Sequence, residues 1–312
     1  MNRAKLAAAV RFALDGELKD VDRLTGGSRK GVYRLTTADS TTAIAYVWEQ
    51  AENYWPETEG DDADPFAAGV GFDLFSAARS KLSSLGLRVP AVYLTGPRFA
   101  LVEDFPGPHL MDLLARDPEV AAPTMSRLAA DLAVMRAYRA PAYGKVALID
   151  GGGRSHGTSC ESAALDFGLR CLAEAAGRDE RIAAARPRLS DRLQELAAAV
   201  RPRSEYSVVH GELGLDHVMI APDGRPVLID IEDLMYFDVE WEHVFLRIRL
   251  GDSYAHLAVD DLDEDRLALY MLVQRLSLTA GPLRLLDGDF PRRAFMQGIA
   301  EHNLKQALAL LS

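Results

Sequence analysis

The sequence predicts an α+β chain in two lobes, a small antiparallel sheet first and a larger, mainly helical part after it. Three observations carry that reading. Short β-type runs, punctuated by glycine, proline and serine, fill residues 1–105. Residues 111–200 are rich in Ala, Leu and Arg, with apolar positions every three or four residues, the period of helices packed on one face. Between them lies "FPGPHL", a Pro/Gly crossing at which the composition changes. The expected boundaries are therefore 1–105 for the β-rich lobe and 106–312 for the helical one. With 312 residues, 48% of them hydrophobic, the chain has material for a core in each.

The elements follow in order. "MNRAKLAAAVRFALDGELKD" reads as an amphipathic helix, its short apolar run soon interrupted by charge. Strands are expected at 21–24, 31–36 and 43–48, a meander with a glycine turn at 26–28 and a second turn at 38–40. "ENYWPETEGDDADPFAAGVG" is acidic and broken by proline and glycine, and reads as a solvated insertion. In "FDLFSAARSKLSSLG", Phe72, Phe75, Ala78, Leu82 and Leu85 have helical spacing and Gly86 ends the run. "VPAVYL" and "FALVED" are two further strands. "IDGGGRSHGTSC" is a connector whose glycines lack the strand-before, helix-after setting of a nucleotide fingerprint. "YSVV" is a strand, and "HVMIAPDGRPVLIDIED" is two β segments joined by the tight turn "APDG".

Composition narrows the partners. A formal charge of −11, with Lys and Arg scattered, argues against nucleic acid and favours a cationic small molecule. Cys160 and Cys171 make neither a disulfide framework nor a metal motif. No apolar run reaches the length of a membrane span, so a soluble, cytoplasmic protein is expected.

The chemistry concentrates in "HGELGLDHVMIAPDGRPVLIDIED", residues 210–233. Glu212, His217 and Asp230 stand at the ends of neighbouring strands and can converge on one point. A divalent ion with a phosphoryl donor needs that: carboxylate oxygens for the metal and a base near the attacking hydroxyl. The stretch resembles the aminoglycoside phosphotransferase family, the antibiotic-kinase branch of the protein-kinase-like fold. The family's loop runs His-Gly-Asp, with an Asn five positions after the Asp and a metal-binding Asp thirteen beyond that; Glu212, His217 and Asp230 match the spacing. "LIDIEDLMYFDVEWEHV" is similar to the family's Ile-Asp-Trp-Glu-Asp run and the Asp-Pro-x-x-Asp-Leu element after it, with Asp238 and Glu242 in the acidic positions. Sheet lobe, hinge strand and helical lobe occur in the family's order over nearly the whole chain.

The resemblance implies roles. Glu212 would orient the acceptor hydroxyl and take its proton, with His210 bracing the loop beside it. Asp230 would hold the metal, and His217 replaces the Asn that assists. Mg²⁺ prefers oxygen, so imidazole tilts the choice toward Mn²⁺. Glu232 and Asp233 read as caps of the following segment. In the first lobe "TGGSRKGVYRL" supplies a phosphate loop, with Gly27 permitting close approach and Ser28, Arg29 and Lys30 meeting oxygens. Hinge residues Glu103, Asp104 and Phe105 would bind the purine of ATP or GTP through backbone groups.

Two expected partners are missing. The third strand, "TTAIAYVWEQ", has Tyr46 where the fold carries a phosphate-gripping Lys, and "FDLFSAARSKL" has no Glu to pair with it. Either other cations, Arg29 and Lys30, grip the phosphates, or nucleotide is not bound in the usual way. Three readings stay open: phosphoryl transfer to a hydroxyl of a small molecule, such as an aminoglycoside- or macrolide-like antibiotic; a catalytically inactive kinase-like binding module; and nucleotidyl transfer on the same scaffold. The acidic run at 260–265 is a candidate attractant for an amine-bearing acceptor.

Overall fold

The computed structural model describes residues 3–25, 27–56 and 61–311. Gly26 of the glycine turn and residues 57–60 of the acidic insertion lie outside the described residues. The chain is mixed α and β, an antiparallel five-stranded sheet in its N-terminal part and mostly helix after it. By contacts it forms two compact units. The first comprises Met1–Trp55, Gly69–Asp131 and Leu215–Glu232; the second comprises Pro56–Ala68, Leu132–Gly214 and Asp233–Ser312.

In the first unit helix α1 (Arg3–Leu14) precedes strands β1 (Leu18–Arg23), β2 (Gly31–Thr37) and β3 (Thr42–Val47). Helix α2 (Phe72–Ser84) and strands β4 (Val92–Gly96) and β5 (Phe99–Glu103) follow, and the sheet order is β1-β2-β3-β5-β4. β3 is central and apolar on both faces. Its Ala43, Ala45 and Val47 join Leu6, Ala9 and Val10 of α1 in one core. The alternate residue Tyr46 and the following Trp48 meet Phe75 of α2, at ring-centroid distances of 5.5 and 6.1 Å. A strand covered on two sides needs the unbroken apolar run that "AIAYVW" provides. β1 begins earlier than the expected 21–24 because an edge strand tolerates the polar "LKDVDR", pairing through one row of backbone groups.

The expected single cut after residue 105 is not the division the contacts make. The hairpin of Val218–Ile220 and Pro226–Leu228 groups with the sheet, because Met219, Ala221 and Val227 bury themselves against Phe105 in a small separate core.

The second unit is built on helices Cys160–Ala176, Glu180–Ala199, Glu264–Leu285 and Arg293–Ala309. Gly168 lets two of them close, since a Cβ there would lie 3.0 Å from Val273 and 3.3 Å from Leu193. A three-stranded sheet, Gly144–Lys145, Met235–Phe237 and Ser207–Val209, accompanies them. The acidic run at 260–265 starts a helix: the Asp263 carboxylate accepts the Arg266 N–H at 3.1 Å, and Asp261 pairs with Arg136.

The insertion differs from its expected solvated state. Phe66 stacks on Phe167 at 4.5 Å and lies 4.7 Å from Trp241. Asp61 pairs with His156 at 2.9 Å and Asp64 with Arg170 at 2.5 Å. One aromatic side chain with two ionic ties is enough to dock a polar segment. Both cysteines are buried free thiols, and no helix among the described residues is long and apolar enough to cross a membrane.

Candidate active site

Hairpin geometry brings His217 and Asp230 together. Val218 pairs with Leu228, and one step further out the Ile229 N–H donates to the His217 carbonyl at 3.0 Å. Asp230 is the next residue, and its Oδ2 lies 3.5 Å from His217 Nε2. The turn "APDG" closes the hairpin as its sequence predicts, with Gly224 at φ +75°. Asp230 itself has φ +57°, a left-handed conformation that aspartate tolerates better than most side chains.

Its other oxygen meets the glycine loop. Lys30 Nζ donates to Asp230 Oδ1 at 2.8 Å and to the Glu232 carboxylate, and lies 4.9 Å from the centroid of the Tyr46 ring. The side chains of Lys30 and Glu232 are 9% and 6% exposed, whereas that of Asp230 is 49% exposed. Burial alone would depress the ammonium's pKa; the pull of Asp230 and Glu232 outweighs it and holds Lys30 above its ordinary value. Burial also raises the Glu232 carboxyl and the Tyr46 hydroxyl above their ordinary ranges. One ammonium faces two carboxylates, and the exposed one is Asp230.

This arrangement corrects the expectation that Glu232 caps the next segment, since it is a buried partner of Lys30. Asp233 accepts from Lys145 Nζ at 2.9 Å in the second unit. The Lys and Glu missing from β3 and α2 leave an aromatic lining instead, Tyr46 and Trp48 against Phe72 and Phe75.

The rest of the loop turns elsewhere. Ser28 Oγ accepts from the Trp55 indole at 2.9 Å, and the Arg29 guanidinium lies over the Trp55 ring at 4.5 Å. Gly27 is required by the turn, because a Cβ there would come within 2.5 Å of the Lys30 carbonyl oxygen. At the hinge, Glu103 accepts from Arg88 at 2.6 Å, Asp104 takes both arms of Arg34 at 2.7 and 3.0 Å, and Phe105 is buried. The Glu103 and Asp104 side chains are committed to internal partners, and the Glu103 N–H donates to the Ala91 carbonyl at 2.8 Å.

Glu212 belongs to the second unit, where it is exposed on a clamped loop. The Glu242 carboxylate, on helix Val239–Leu250, accepts the backbone N–H groups of His210, Gly211 at 3.3 Å and Leu213 at 3.4 Å. Trp241 Nε1 donates to the Gly211 carbonyl at 3.1 Å. His210 is buried, and Gly211 has φ +94°, which makes it a glycine by necessity. Asp238, the other acidic position, is buried against Arg266 at 2.8 Å and Tyr270.

Among the described residues no group of three or more His, Cys, Asp or Glu side chains forms a ready metal cage. Mg²⁺ does not need one, since it is commonly held by one or two carboxylates with phosphate and water oxygens completing its shell. Asp230, half exposed beside His217, fits that requirement.

The sequence matches the family model described as Phosphotransferase enzyme family, APH, over residues 23–271. No curated protein matches it. Solved structures with the same fold include a thermostable mutant of aminoglycoside phosphotransferase APH(4)-Ia, 17% identical with TM-score 0.64, covering 96% of this chain and 98% of that one. Choline kinase LicA from Streptococcus pneumoniae is 14% identical with TM-score 0.63, covering 99% of each chain. Spectinomycin phosphotransferase APH(9)-Ia, in complex with ADP and spectinomycin, is 12% identical with TM-score 0.65, covering 99% and 98%.

Proposed function

Because the chain belongs to the APH phosphotransferase family, we propose that it moves the γ-phosphoryl group of ATP or GTP to a hydroxyl of a small molecule. The observation that carries this reading is the Lys30–Asp230 contact: a charged ammonium from the glycine loop beside a half-exposed carboxylate at the hairpin end. Phosphoryl transfer asks for these two charges, one on the phosphates and one on the metal. Lys30 grips phosphate oxygens, and Gly27 lets the loop backbone come close. Asp230 holds Mg²⁺ or Mn²⁺, and His217, a nitrogen ligand, favours manganese. Such an ion, when bound, neutralises charge on the transferring group. Backbone groups at 103–105 hold the purine edge.

Glu212 takes the proton as the acceptor oxygen attacks the γ-phosphorus and the bond to the β–γ bridging oxygen breaks. A phosphoester and a nucleoside diphosphate leave. A carboxylate on glutamate's longer stem is competent for this, because general-base geometry matters before pKa. The surplus of acidic residues, −11 overall, favours a cationic acceptor, and aminoglycoside- or macrolide-like antibiotics are the class to try first. The use of a triphosphate donor supports a cytoplasmic reaction.

The test is incubation with ATP or GTP, Mg²⁺ or Mn²⁺ and a panel of amine-bearing alcohols, read by product mass. A gain of one phosphoryl group is expected. A nucleotidyl gain assigns the scaffold to the other transfer. No product, together with no thermal stabilisation by any nucleotide and metal, favours the binding module.

A further inference from the structure

We infer that Glu232 positions Lys30, and that the pair does the work that kinase-like folds divide between a third-strand Lys and a helix Glu. The inference rests on the proposed function and deepens it. Lys30 sits immediately before β2, and the β2–β3 register sets Val32 opposite Tyr46. From there its side chain passes over the Tyr46 ring to reach Asp230 and Glu232. The ammonium therefore reaches the site from the neighbouring strand, and Tyr46 forms the wall it runs along. The carboxylate that pairs with it no longer comes from α2. That helix presents Phe72 and Phe75 to Trp48 and Tyr46, an aromatic lining.

A functional consequence follows from where Glu232 stands. Where the anchoring Glu rides on a helix, the helix's position decides whether the Lys is held, and such folds are switched that way. Here the anchor is separated from Asp230 by one residue, Ile231, which is fully buried. The metal carboxylate and the lysine's anchor then move as one piece. The lysine's anchor thus comes from the segment that carries Asp230, and α2 meets the lysine's path through Phe75 against the Tyr46 ring.

Calorimetry with the full chain tests this, using Mn²⁺ alone and then ADP or GDP with Mn²⁺. Lys30→Met and Glu232→Gln should each lose about tenfold or more in nucleotide affinity, the size expected for removing a charge-assisted hydrogen bond. Glu232→Gln should bind Mn²⁺ alone as the unaltered chain does. The exchange variant Lys30→Glu with Glu232→Lys restores a buried pair but puts the cation on the wrong element; it should fold and still bind nucleotide weakly. Undiminished nucleotide binding by Lys30→Met would overturn the inference. So would loss of Mn²⁺ alone in Glu232→Gln, which makes Glu232 a metal ligand, or full recovery in the exchange variant, which makes the pair merely structural. An unaltered chain that binds neither nucleotide refutes the proposed function itself, a result distinct from all of these.

Discussion

Lys30 and Asp230 are 200 residues apart in sequence and 2.8 Å apart in space, an ammonium from the glycine loop donating to a carboxylate at the end of a hairpin. Together they set a fixed positive charge next to an exposed negative one, the pairing on which the proposed binding of a metal-bound phosphate rests.

Glu212 should be separable from binding. Glu212→Gln removes the proposed base and should lower kcat by about a hundredfold or more, with KM for nucleotide unchanged. Glu212→Asp should keep most of the rate. Because the side chain is exposed, neither variant should shift the thermal midpoint. Steady-state kinetics against both substrates checks this.

The loop that carries Glu212 depends on Glu242. Its buried carboxylate accepts three backbone N–H groups, and Glu242→Ala leaves all of them without that acceptor. The expected loss is about 2–4 kcal/mol of stability in urea denaturation. A variant as stable as the unaltered chain would mean the loop keeps its shape by other contacts.

Phe66 should behave as an anchor. It is only half buried, so Phe66→Ala should cost about 1–3 kcal/mol, less than a fully buried phenylalanine, and should speed proteolysis within residues 56–68. Limited proteolysis with mass mapping reads the second effect.

Acid sensitivity should trace to His243. Burial first, and the charges of Arg136 and Arg247 next, lower its pKa from 6.5 to about 4. The imidazole is thus neutral in the fold and takes up a proton more readily when the chain unfolds. Its contribution is fully present above pH 6.5 and is lost as pH falls toward 4, about 3 kcal/mol in all. His243→Gln should flatten the stability profile over that window, as followed by urea denaturation at several pH values. An unchanged slope would assign the acid sensitivity to other groups.

How much of this was legible in the sequence depends on how local each signal was. β3 and the hairpin were legible because an unbroken apolar run and an "APDG" turn are self-contained patterns. The neighbourhood of His217 and Asp230 followed from the same hairpin. Glu232 was misread as a cap because its partner lies 202 residues upstream, and no local pattern records a contact of that range. Phe66 was hidden differently: a lone aromatic among Asp, Pro and Gly looks solvated until its neighbours Phe167 and Trp241 are known. The commitment of Asp104 to Arg34 and of Glu103 to Arg88 was equally invisible, since charges at a hinge read the same whether paired or free. The departures from the family's letters were plain in the sequence, and one of them led to Lys30.

The most direct measurement is the electron–nuclear coupling between bound Mn²⁺ and phosphorus nuclei in the presence of ATP or GTP. In the unaltered chain the ion should show ³¹P coupling from nucleotide held at the protein, and Asp230→Ala should abolish that signal while circular dichroism stays the same. An Asp230→Ala chain that retains the coupling and turns over normally would contradict the assignment of the metal to this carboxylate.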